Sequence, residues 1–217
     1  MTKKVAVLCG LAQEAAILKD DPNLDVYCGT DGAMAITEYA KHYAGLLSFG
    51  TAGALATSVR VGDVMVATSV LDGMDRYAVD IAWWGKLLRD PGCIIGRALS
   101  LGKTAASTPA QRHAYVLRYG CKIIDEESGV VARLAKTYRL PFAVVRGVSD
   151  NAAQTVPDAA LHDTDAKGDS SILPVVESLA ENPAQLPELL QLDSTFNTAI
   201  AALRAYYLTN RAAFSME

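Results

Sequence analysis

The strongest constraint on the fold is a series of short, nearly continuous apolar runs in the first 150 residues: VAVLC, GLLSF, VGDVMVATSV, CKII and PFAVV. A run of this kind is typical of a strand that is buried on both faces of a parallel sheet. Segments with helical periodicity lie between the runs, and the alternation continues as far as Asp150. The sequence therefore predicts an α/β layered domain with a mostly parallel sheet.

Helices are predicted between these strands from periodic apolar positions and from the residues that begin or end a helix: LAQEAAILK, Met34–Ala44, PAQRHAYVLRYG and SGVVARLAKTYR. Pro109 suits the first turn of the third helix, and Gly120 suits its end. The stretch 50–53, GTAG, is predicted to be a turn that ends the strand GLLSF. We expect a single domain over 1–217, in which 172–210 form a C-terminal helical extension.

The net charge, the lengths of the apolar runs and the cysteine and histidine content limit the partners and the compartment. The 217 residues carry a formal net charge of −4, so nothing indicates a nucleic-acid partner. No stretch approaches the ~18 apolar residues of a membrane span, and the N-terminal apolar run is too short for a secretory signal, so we expect a cytoplasmic protein. The four cysteines form no CxxC pair and the three histidines lie far apart, so neither a metal site nor a cofactor is predicted.

Polar residues follow four of the predicted strands at the point where each strand ends. In open parallel sheets the carboxyl ends of the strands form the crevice where ligands bind. We therefore expect a polar site that combines carboxylates with an arginine. Its candidate residues are Glu14, Gly50, Thr51, Asp125, Glu126, Glu127, Arg146, Ser149 and Asp150.

Each of these signals also has a simpler interpretation. A glutamate at the start of a helix, such as Glu14, is usually a solvated partner of the helix dipole. Arg146 can be a buried ion-pair partner of Glu127 with no further role. An acidic triplet, such as residues 125–127, is usually solvent-exposed. The combination of these residues at one edge of a sheet, rather than any single one, indicates a functional site.

Four motifs resemble, in order and spacing, those of the nucleoside phosphorylase/nucleosidase family: VAVLCGLAQEAAIL, SFGTAGALATSVRVGDVMVATSV, IIDEESGVVARLA and PFAVVRGVSD. That family includes purine nucleoside phosphorylases and methylthioadenosine/S-adenosylhomocysteine nucleosidases. The resemblance covers residues 4 to 152. It implies a three-layer phosphorylase/hydrolase-like fold with a central mixed, mostly parallel sheet flanked by helices.

A softer similarity extends to the C-terminus and is to the hopanoid-associated phosphorylases within that family. It rests on LDGMDRYAVDIAWW, ASTPAQRHA, SLAENPAQLPELLQL and AIAALRAYYL. Those bacterial proteins are thought to remove adenine from adenosylhopane, which gives ribosylhopane. The similarity implies the same substrate class for this chain.

The family resemblance implies three catalytic residues. Asp150 matches the aspartate that protonates or hydrogen-bonds N7 of the leaving purine, and Ser149 matches the residue that orients it. Glu14 matches the glutamate that activates the attacking water. Arg146 matches an arginine that helps to hold that water and the glutamates.

The resemblance also implies the residues that bind the substrate. Glu127 matches the glutamate that accepts hydrogen bonds from the ribose 2′ and 3′ hydroxyls, and we expect the helix that follows to help keep it ionised. Glu126 stands where the family usually has a methionine under the sugar, which is a departure from the pattern. Thr51 and Gly50 match the turn near the nucleophile. The purine would contact Thr104–Ser107.

The implied function is an N-ribosyl hydrolase that releases adenine from a 5′-substituted adenosine, with adenosylhopane as the particular substrate. The alternatives are a methylthioadenosine/S-adenosylhomocysteine nucleosidase, a phosphate-dependent phosphorylase and a non-catalytic nucleoside-binding protein. Trp83, Trp84 and Tyr77 fit an apolar pocket for the 5′ group, the core or a subunit interface. A homo-oligomer is expected because family members are commonly dimers or larger, and an apolar substrate leaves open a transient membrane contact.

Water is the predicted nucleophile. Related phosphorylases carry an arginine in the region of the first helical turn and another on the strand just before the GTxG-like turn. The matching places here hold Glu14 and Ser48. Neither residue supplies a cation for a phosphate dianion, and Glu14 is suited to take a proton from water.

Overall fold

The computed structural model describes residues 3–88, 92–101, 106–157, 160, 166–168, 177–179 and 181–216. Its strands are β1 (Val5–Cys9), β2 (Leu24–Cys28), β3 (Gly45–Ala54), β4 (Val64–Asp72), β5 (Asp75–Ala78), β6 (Ile94–Ser100), β7 (Ile123–Asp125) and β8 (Phe142–Asp150). Its α-helices are α1 (Ala12–Leu18), α2 (Gly29–Tyr39), α3 (Ile81–Leu87), α4 (Pro109–Tyr119), α5 (Glu127–Tyr138) and α6 (Leu186–Asn210).

The described strands form one mixed sheet. Parallel pairs join β1 to β2 and β3, β3 to β8, and β6 to β4 and β7. Antiparallel pairs join β3 to β7, and β4 to β5 and β8. The strands β3, β8, β4, β6 and β7 therefore pair in a closed cycle, with β2 and β1 extending from β3. The predicted central sheet, mixed and mostly parallel, is confirmed.

Helices cover both faces of the sheet. Side chains alternate between the two faces along each strand, so successive strand residues pack against helices on opposite sides. In β1, Ala6 and Leu8 pack in one cluster with the buried residues of α2 and α5. Val5 and Val7 pack in a second cluster with residues of α1, α3 and α6. The predicted arrangement of a sheet flanked by helices is confirmed, and it explains why the strands are apolar at nearly every position.

The helix predicted over Met34–Ala44 is displaced, because α2 begins at Gly29 and ends at Tyr39. Gly29 has a φ of 63°, and a Cβ at Gly32 would contact the backbone and Cβ of Tyr27. The two glycines, which made the start of the helix look unlike a helix in the sequence, have other roles. Gly29 forms a turn, and Gly32 allows a close contact with β2. The strands β2, β5 and β6 were not predicted. Solvent removes the continuous apolar pattern from the edge strands β2 and β5, and Gly96 and Arg97 interrupt it in β6.

The prediction of a turn at GTAG is wrong, because β3 runs without interruption from Gly45 to Ala54. Its partner β8 pairs with it along this length, with a register shift between Ala52 and Gly53. Glycine is present in a strand here because other groups approach the backbone closely. A Cβ at Gly50 would collide with the Glu14 carboxylate, and one at Gly53 would lie 3.0 Å from Asp150 Oδ1.

The predicted C-terminal helix LPELLQLDSTFNTAIAALRAYYL is confirmed as α6. Leu203 and Tyr206 of α6 are buried in the same cluster as the residues of α1 and α3. The Tyr207 hydroxyl lies 2.6 Å from Asp21 Oδ2, which fixes the helix to the turn before β2. The helix predicted at ILPVVESLA falls largely outside the described residues, and the division at residue 172 remains a prediction. No helix among the described residues is both long enough and apolar enough to cross a membrane.

Candidate active site

Glu14 lies in the first turn of α1 and is almost fully buried, with 2% of its surface exposed. Its Oε2 accepts hydrogen bonds from the backbone N–H of Gly10 at 3.0 Å and of Leu11 at 3.1 Å. Its Oε1 accepts from the backbone N–H of Thr51 at 2.6 Å and from Thr51 Oγ1 at 2.8 Å. Four donors therefore hold the carboxylate between the ends of β1 and β3, so Glu14 is not a solvated helix-start residue.

Arg146 lies in the middle of β8 with 0% of its surface exposed. Its Nη2 donates to Ser48 Oγ at 2.6 Å and to Asp125 Oδ1 at 3.3 Å, and it lies 3.2 Å from Glu127 Oε2. Burial opposes the charge on Arg146, but the neighbouring carboxylates outweigh it and raise the pKa of the guanidinium. Arg146 therefore remains a buried cation that links the carboxylates at the end of β7 and the start of α5.

Asp125 ends β7 and connects the arginine to helix α5. Its two carboxylate oxygens accept hydrogen bonds from the backbone N–H of Ser128 at 2.7 Å and from Ser128 Oγ at 2.8 Å. The family resemblance assigned no contact to Asp125 beyond the first acidic position of the motif. The structure places it beside Arg146, where it hydrogen-bonds the first turn of α5 and neutralises the buried cation at the same time.

Glu127 is the first residue of α5 and faces the open side of this group, with 24% of its side chain exposed. Burial, with the negative charges of Glu14, Asp125 and Glu126, outweighs the attraction of Arg146 and raises its pKa to about 7. Burial and like charge therefore oppose the ionised form of Glu127, which the helix start is expected to favour.

Glu126 precedes α5 and is half-buried. Its backbone carbonyl accepts a hydrogen bond from Ser100 Oγ at 3.2 Å, which ties the start of α5 to the end of β6. Its carboxylate is close enough to raise the pKa of Glu127. At the acidic junction Asp125 is therefore buried beside the arginine, whereas Glu126 and Glu127 are partly exposed, and Glu127 also contacts Arg146.

Asp150 ends β8 and forms a second polar group with two partners. Ser149 Oγ donates to Asp150 Oδ2 at 2.9 Å, as the sequence comparison with the family implies for an orienting serine. Arg112 Nη2 forms an ion pair with Asp150 Oδ1. Both carboxylate oxygens are thus engaged, and each retains a second lone pair for another hydrogen bond.

Arg112 was not predicted from the sequence. It lies on α4, where the apolar Tyr115, Val116 and Tyr119 follow at helical spacing and pack in a buried cluster. A charged residue on an apolar helical stripe was the signal that could have found it, because burial of an arginine requires a counter-charge. Asp150 supplies that charge.

The segment expected to contact the purine lies partly outside the described residues, which exclude 102–105. The Ala106 carbonyl accepts from Arg112 Nε at 2.9 Å, and the Ser107 carbonyl accepts from the backbone N–H of Val156 at 2.8 Å. This part of the segment therefore adjoins Arg112, the partner of Asp150, and the residues that follow β8.

The aromatic residues Trp83 and Tyr77 are core residues. Trp83 is buried against α6, and its Nε1 donates to the carbonyl of Ala213 at 2.8 Å. Tyr77 packs in the cluster on the opposite face of the sheet. Trp84 is partly buried beside Trp83. These contacts assign Trp83 and Tyr77 to packing rather than to a shared pocket.

The two polar groups lie along one strand. Gly50 of β3 adjoins Glu14 and Arg146, and Gly53 adjoins Asp150. Three residues of a strand span roughly 10 Å. The structure thus brings together the predicted residues as two carboxylate centres that are separated along β3, with the Glu127 carboxylate on the side of the first. Within the described residues, no group of three His, Cys, Asp or Glu side chains has a geometry that could hold a metal ion.

Gly50→Ala is expected to destabilise the fold by roughly 1–3 kcal/mol, because the new Cβ would collide with the Glu14 carboxylate and with Arg146 Nη1. Gly85→Ala is the matched control, since no atom lies within 4 Å of the added Cβ and the position is helical. The control should gain up to ~1 kcal/mol. Denaturant unfolding measures both, and equal stability of the two variants would contradict the close contact at Gly50.

Comparisons with known proteins identify the fold. Neither a protein-family model nor a curated protein sequence matches this chain. Solved structures do match it. Futalosine hydrolase of Helicobacter pylori has a TM-score of 0.69 at 13% identity, over 98% of each chain. The 5′-methylthioadenosine/S-adenosylhomocysteine nucleosidase from Neisseria meningitidis, in complex with methylthio-immucillin-A, has a TM-score of 0.69 at 16% identity, over 96% of this chain and 99% of that chain.

A plant enzyme gives the same result. The 5′-methylthioadenosine nucleosidase of Arabidopsis thaliana, in apo form, has a TM-score of 0.65 at 12% identity, over 100% of this chain and 98% of that chain. At these identities the likeness defines the fold. The described residues of the chain have the nucleosidase fold.

Proposed function

We propose that the protein is an N-ribosyl hydrolase that releases adenine from a 5′-substituted adenosine. The observation that carries the proposal is the pair of carboxylate centres along β3, with Glu14 and Glu127 around Arg146 at one and Asp150 at the other. A nucleosidase needs a group for the nucleophile and the sugar at one end of its site and a group for the base at the other. The nucleosidase fold supports this assignment.

In this reaction the bond between C1′ of the sugar and N9 of the purine breaks as water attacks C1′. The electron pair of that bond stays with the purine, and Asp150 donates a proton to N7, or hydrogen-bonds it, as the charge develops. Ser149 orients Asp150 through its 2.9 Å hydrogen bond to Oδ2. The products are free adenine and a ribosyl sugar with a hydroxyl at C1′.

The sugar and the water are assigned to the first centre. Glu127 accepts hydrogen bonds from the two ribose hydroxyls, since its carboxylate is partly exposed beside Arg146. Glu14 takes the proton that water loses. The four donors around Glu14 fix the position of its carboxylate and fill its four lone-pair positions, so one of these hydrogen bonds must give way as Glu14 takes the proton.

Water is the proposed nucleophile rather than phosphate. A phosphate dianion needs free cations or backbone donors. The nearest cation, Arg146, is already bound to Asp125 and Glu127, and it donates to Ser48 at the place where phosphorylases carry an arginine. The backbone donors of Gly10, Leu11 and Thr51 point to the Glu14 carboxylate. A second anion at this centre would face uncompensated repulsion.

For the 5′ substituent we propose a large apolar group, and adenosylhopane as the particular substrate. The support is the sequence similarity to hopanoid-associated phosphorylases outside the four core motifs. Because the neighbours in fold are named for futalosine, methylthioadenosine and S-adenosylhomocysteine, these compounds are the competing substrates. Long-chain 5′-alkylthioadenosines should bind more tightly than the methyl compound, by up to ~0.8 kcal/mol per buried CH₂.

The test is product analysis with the purified protein in phosphate-free buffer and in excess phosphate. Adenine release without phosphate, with a free ribosyl product, supports the hydrolase. A strict requirement for phosphate, with a ribosyl 1-phosphate product, would establish a phosphorylase and remove the role of Glu14. Binding of nucleosides without turnover would establish a binding protein. Relative rates with adenosylhopane, methylthioadenosine and futalosine decide the 5′ group.

A pH dependence follows from Glu127. Its pKa of about 7 means that the free enzyme gains the carboxylate needed for the ribose hydroxyls as the pH rises through 7. We expect kcat/KM to fall about tenfold for each pH unit below that value, since kcat/KM reports the free enzyme. The Glu127→Gln variant should have a lower kcat/KM at every pH and should not show this fall at acid pH. The same fall in the variant would assign the titration to another residue.

The same group affects stability with the opposite sign. Its pKa is raised from 4.5 to about 7, so between those values the folded protein binds more protons at Glu127 than the unfolded chain does. The contribution of Glu127 to the unfolding free energy is therefore fully present below pH 4.5 and is lost as the pH rises to about 7. Activity is gained over the pH range in which this stability is lost.

A further inference from the structure

Arg112 is an almost fully buried arginine, 2% exposed, and each of its donor nitrogens has a partner. Its Nε donates to the Ala106 carbonyl at 2.9 Å, and Nη1 donates to the carbonyls of Ala54 at 3.1 Å and Asn151 at 2.8 Å. Its Nη2 forms the ion pair with Asp150. The side chain thus joins the end of β3, the approach to α4 and the residue after β8.

The contacts of Arg112 have two different functions: the carbonyls orient the guanidinium, and Asp150 balances its charge. The three carbonyls hold the guanidinium plane in one orientation, because a planar fork of donors can satisfy several acceptors only in a fixed pose. The remaining nitrogen is therefore aimed at Asp150 by groups outside the ion pair. Neutral carbonyls alone leave the buried charge of an arginine uncompensated, so the carboxylate of Asp150 is the counter-charge that this site requires.

We propose that Arg112 is a positioning residue that makes Asp150 an effective acid, an inference that rests on the proposed function. Asp150 takes a proton from solvent when the substrate binds, and as the bond between C1′ and N9 breaks it passes that proton to N7 and returns to the carboxylate that pairs with Arg112. The fixed guanidinium of Arg112 stabilises that developing negative charge without any rearrangement, which is the preorganised electrostatics that lowers a barrier. Arg112 exchanges no proton and does not touch the purine.

The role predicts a dependence on the leaving group. Adenine needs a proton at N7 to leave, whereas 4-nitrophenolate leaves as a stable anion and needs none. Arg112→Gln should lower kcat for the adenosyl substrate by roughly 10- to 100-fold, a part of the ~10²–10⁴-fold that a general acid supplies. The rate with 4-nitrophenyl β-ribofuranoside, which has the same sugar, should change by less than about threefold.

A purely structural role gives a different result, because misplacement of β3, α4 and β8 would lower both rates together. Arg112→Lys separates the two further, since lysine keeps a charge beside Asp150 but cannot reach three carbonyls at once. This variant should be less stable than the wild type but should keep most of its adenosyl activity. Arg118→Gln, an exposed position on the same helix whose guanidinium stacks on Tyr119, is the control that should change neither rate.

The experiment measures both substrates with the wild type, the three variants and the pair Asp150→Asn and Asp150→Asn/Arg112→Gln. Thermal unfolding shows which variants fold, and if Arg112→Gln does not, Arg112→Lys decides the question with the same two substrates. Equal loss on both substrates, or loss on neither, overturns the proposal. An additive effect of Arg112→Gln on Asp150→Asn also overturns it, because a residue that acts through Asp150 has nothing left to act on. A wild type that releases no adenine would instead overturn the proposed function.

Discussion

Asp150→Asn is expected to lower kcat for adenine release by roughly 10²–10⁴-fold, the range that general-acid assistance supplies. An amide can accept the hydrogen bond that Ser149 donates, but it cannot give an acidic proton to N7. The change should leave the hydrolysis of 4-nitrophenyl β-ribofuranoside nearly unaffected. Steady-state rates with the two substrates measure the effect.

The variant should also be less stable, because Arg112 loses the counter-charge of its ion pair while it remains buried. Removal of one partner of a buried pair costs about 3–5 kcal/mol, and the amide oxygen of asparagine can offset part of this as a neutral acceptor. The matched control is Asp25→Asn, which breaks the exposed ion pair with Lys4 at 2.8 Å. That pair is worth at most ~1 kcal/mol. Near wild-type adenine release by Asp150→Asn would exclude Asp150 as the acid.

Much of the fold could be predicted from the sequence, because a strand that is covered on both faces must be apolar at successive positions. The strands β1, β4, β7 and β8 have this pattern, and each was predicted. The edge strands β2 and β5 include polar residues that face solvent, such as Asp25 and Arg76, so they do not have it. The beginning of α2 was missed for a related reason, since its glycines are set by contacts in space and not by helix propensity.

The candidate site was predicted only in part. The residues at the ends of apolar strands, together with a family resemblance, pointed to Glu14, Glu127 and Asp150. The charge balance could not be predicted, because it depends on which side chains meet across the sheet. Arg112 is 38 residues away from Asp150 in the sequence, and the two meet because α4 places Arg112 against the ends of β3 and β8.

The glycines of GTAG are a second case in which contacts in space could not be predicted from the sequence. In a sequence, two glycines within four residues indicate a turn, whereas in the structure they leave space for carboxylates that approach the strand from other elements. The pKa of Glu127 is likewise a property of the assembled site. It depends on burial and on the neighbouring charges of Glu14, Asp125 and Arg146, and these come from separate elements.

Glu14→Ala is expected to lower kcat by roughly 10²–10⁴-fold, the range for the loss of a general base. The four donors that bind the Glu14 carboxylate would then surround an empty space with positive character: the N–H groups of Gly10, Leu11 and Thr51 and the Thr51 hydroxyl. Such a space suits a small anion. Azide can occupy it and attack C1′ directly, because azide has no proton to lose.

We therefore expect azide to restore part of the turnover of Glu14→Ala and to yield adenine with a ribosyl azide in place of the free sugar. The matched control is Glu188→Ala, an exposed glutamate in the first turn of α6, which should lose at most ~1 kcal/mol of stability and no activity. Azide should not rescue Asp150→Asn, since that variant lacks help for the leaving group rather than a nucleophile. Rescue without a ribosyl azide product would mean that the anion only fills the space, and Glu14 would then be a structural acceptor for four donors and not the base.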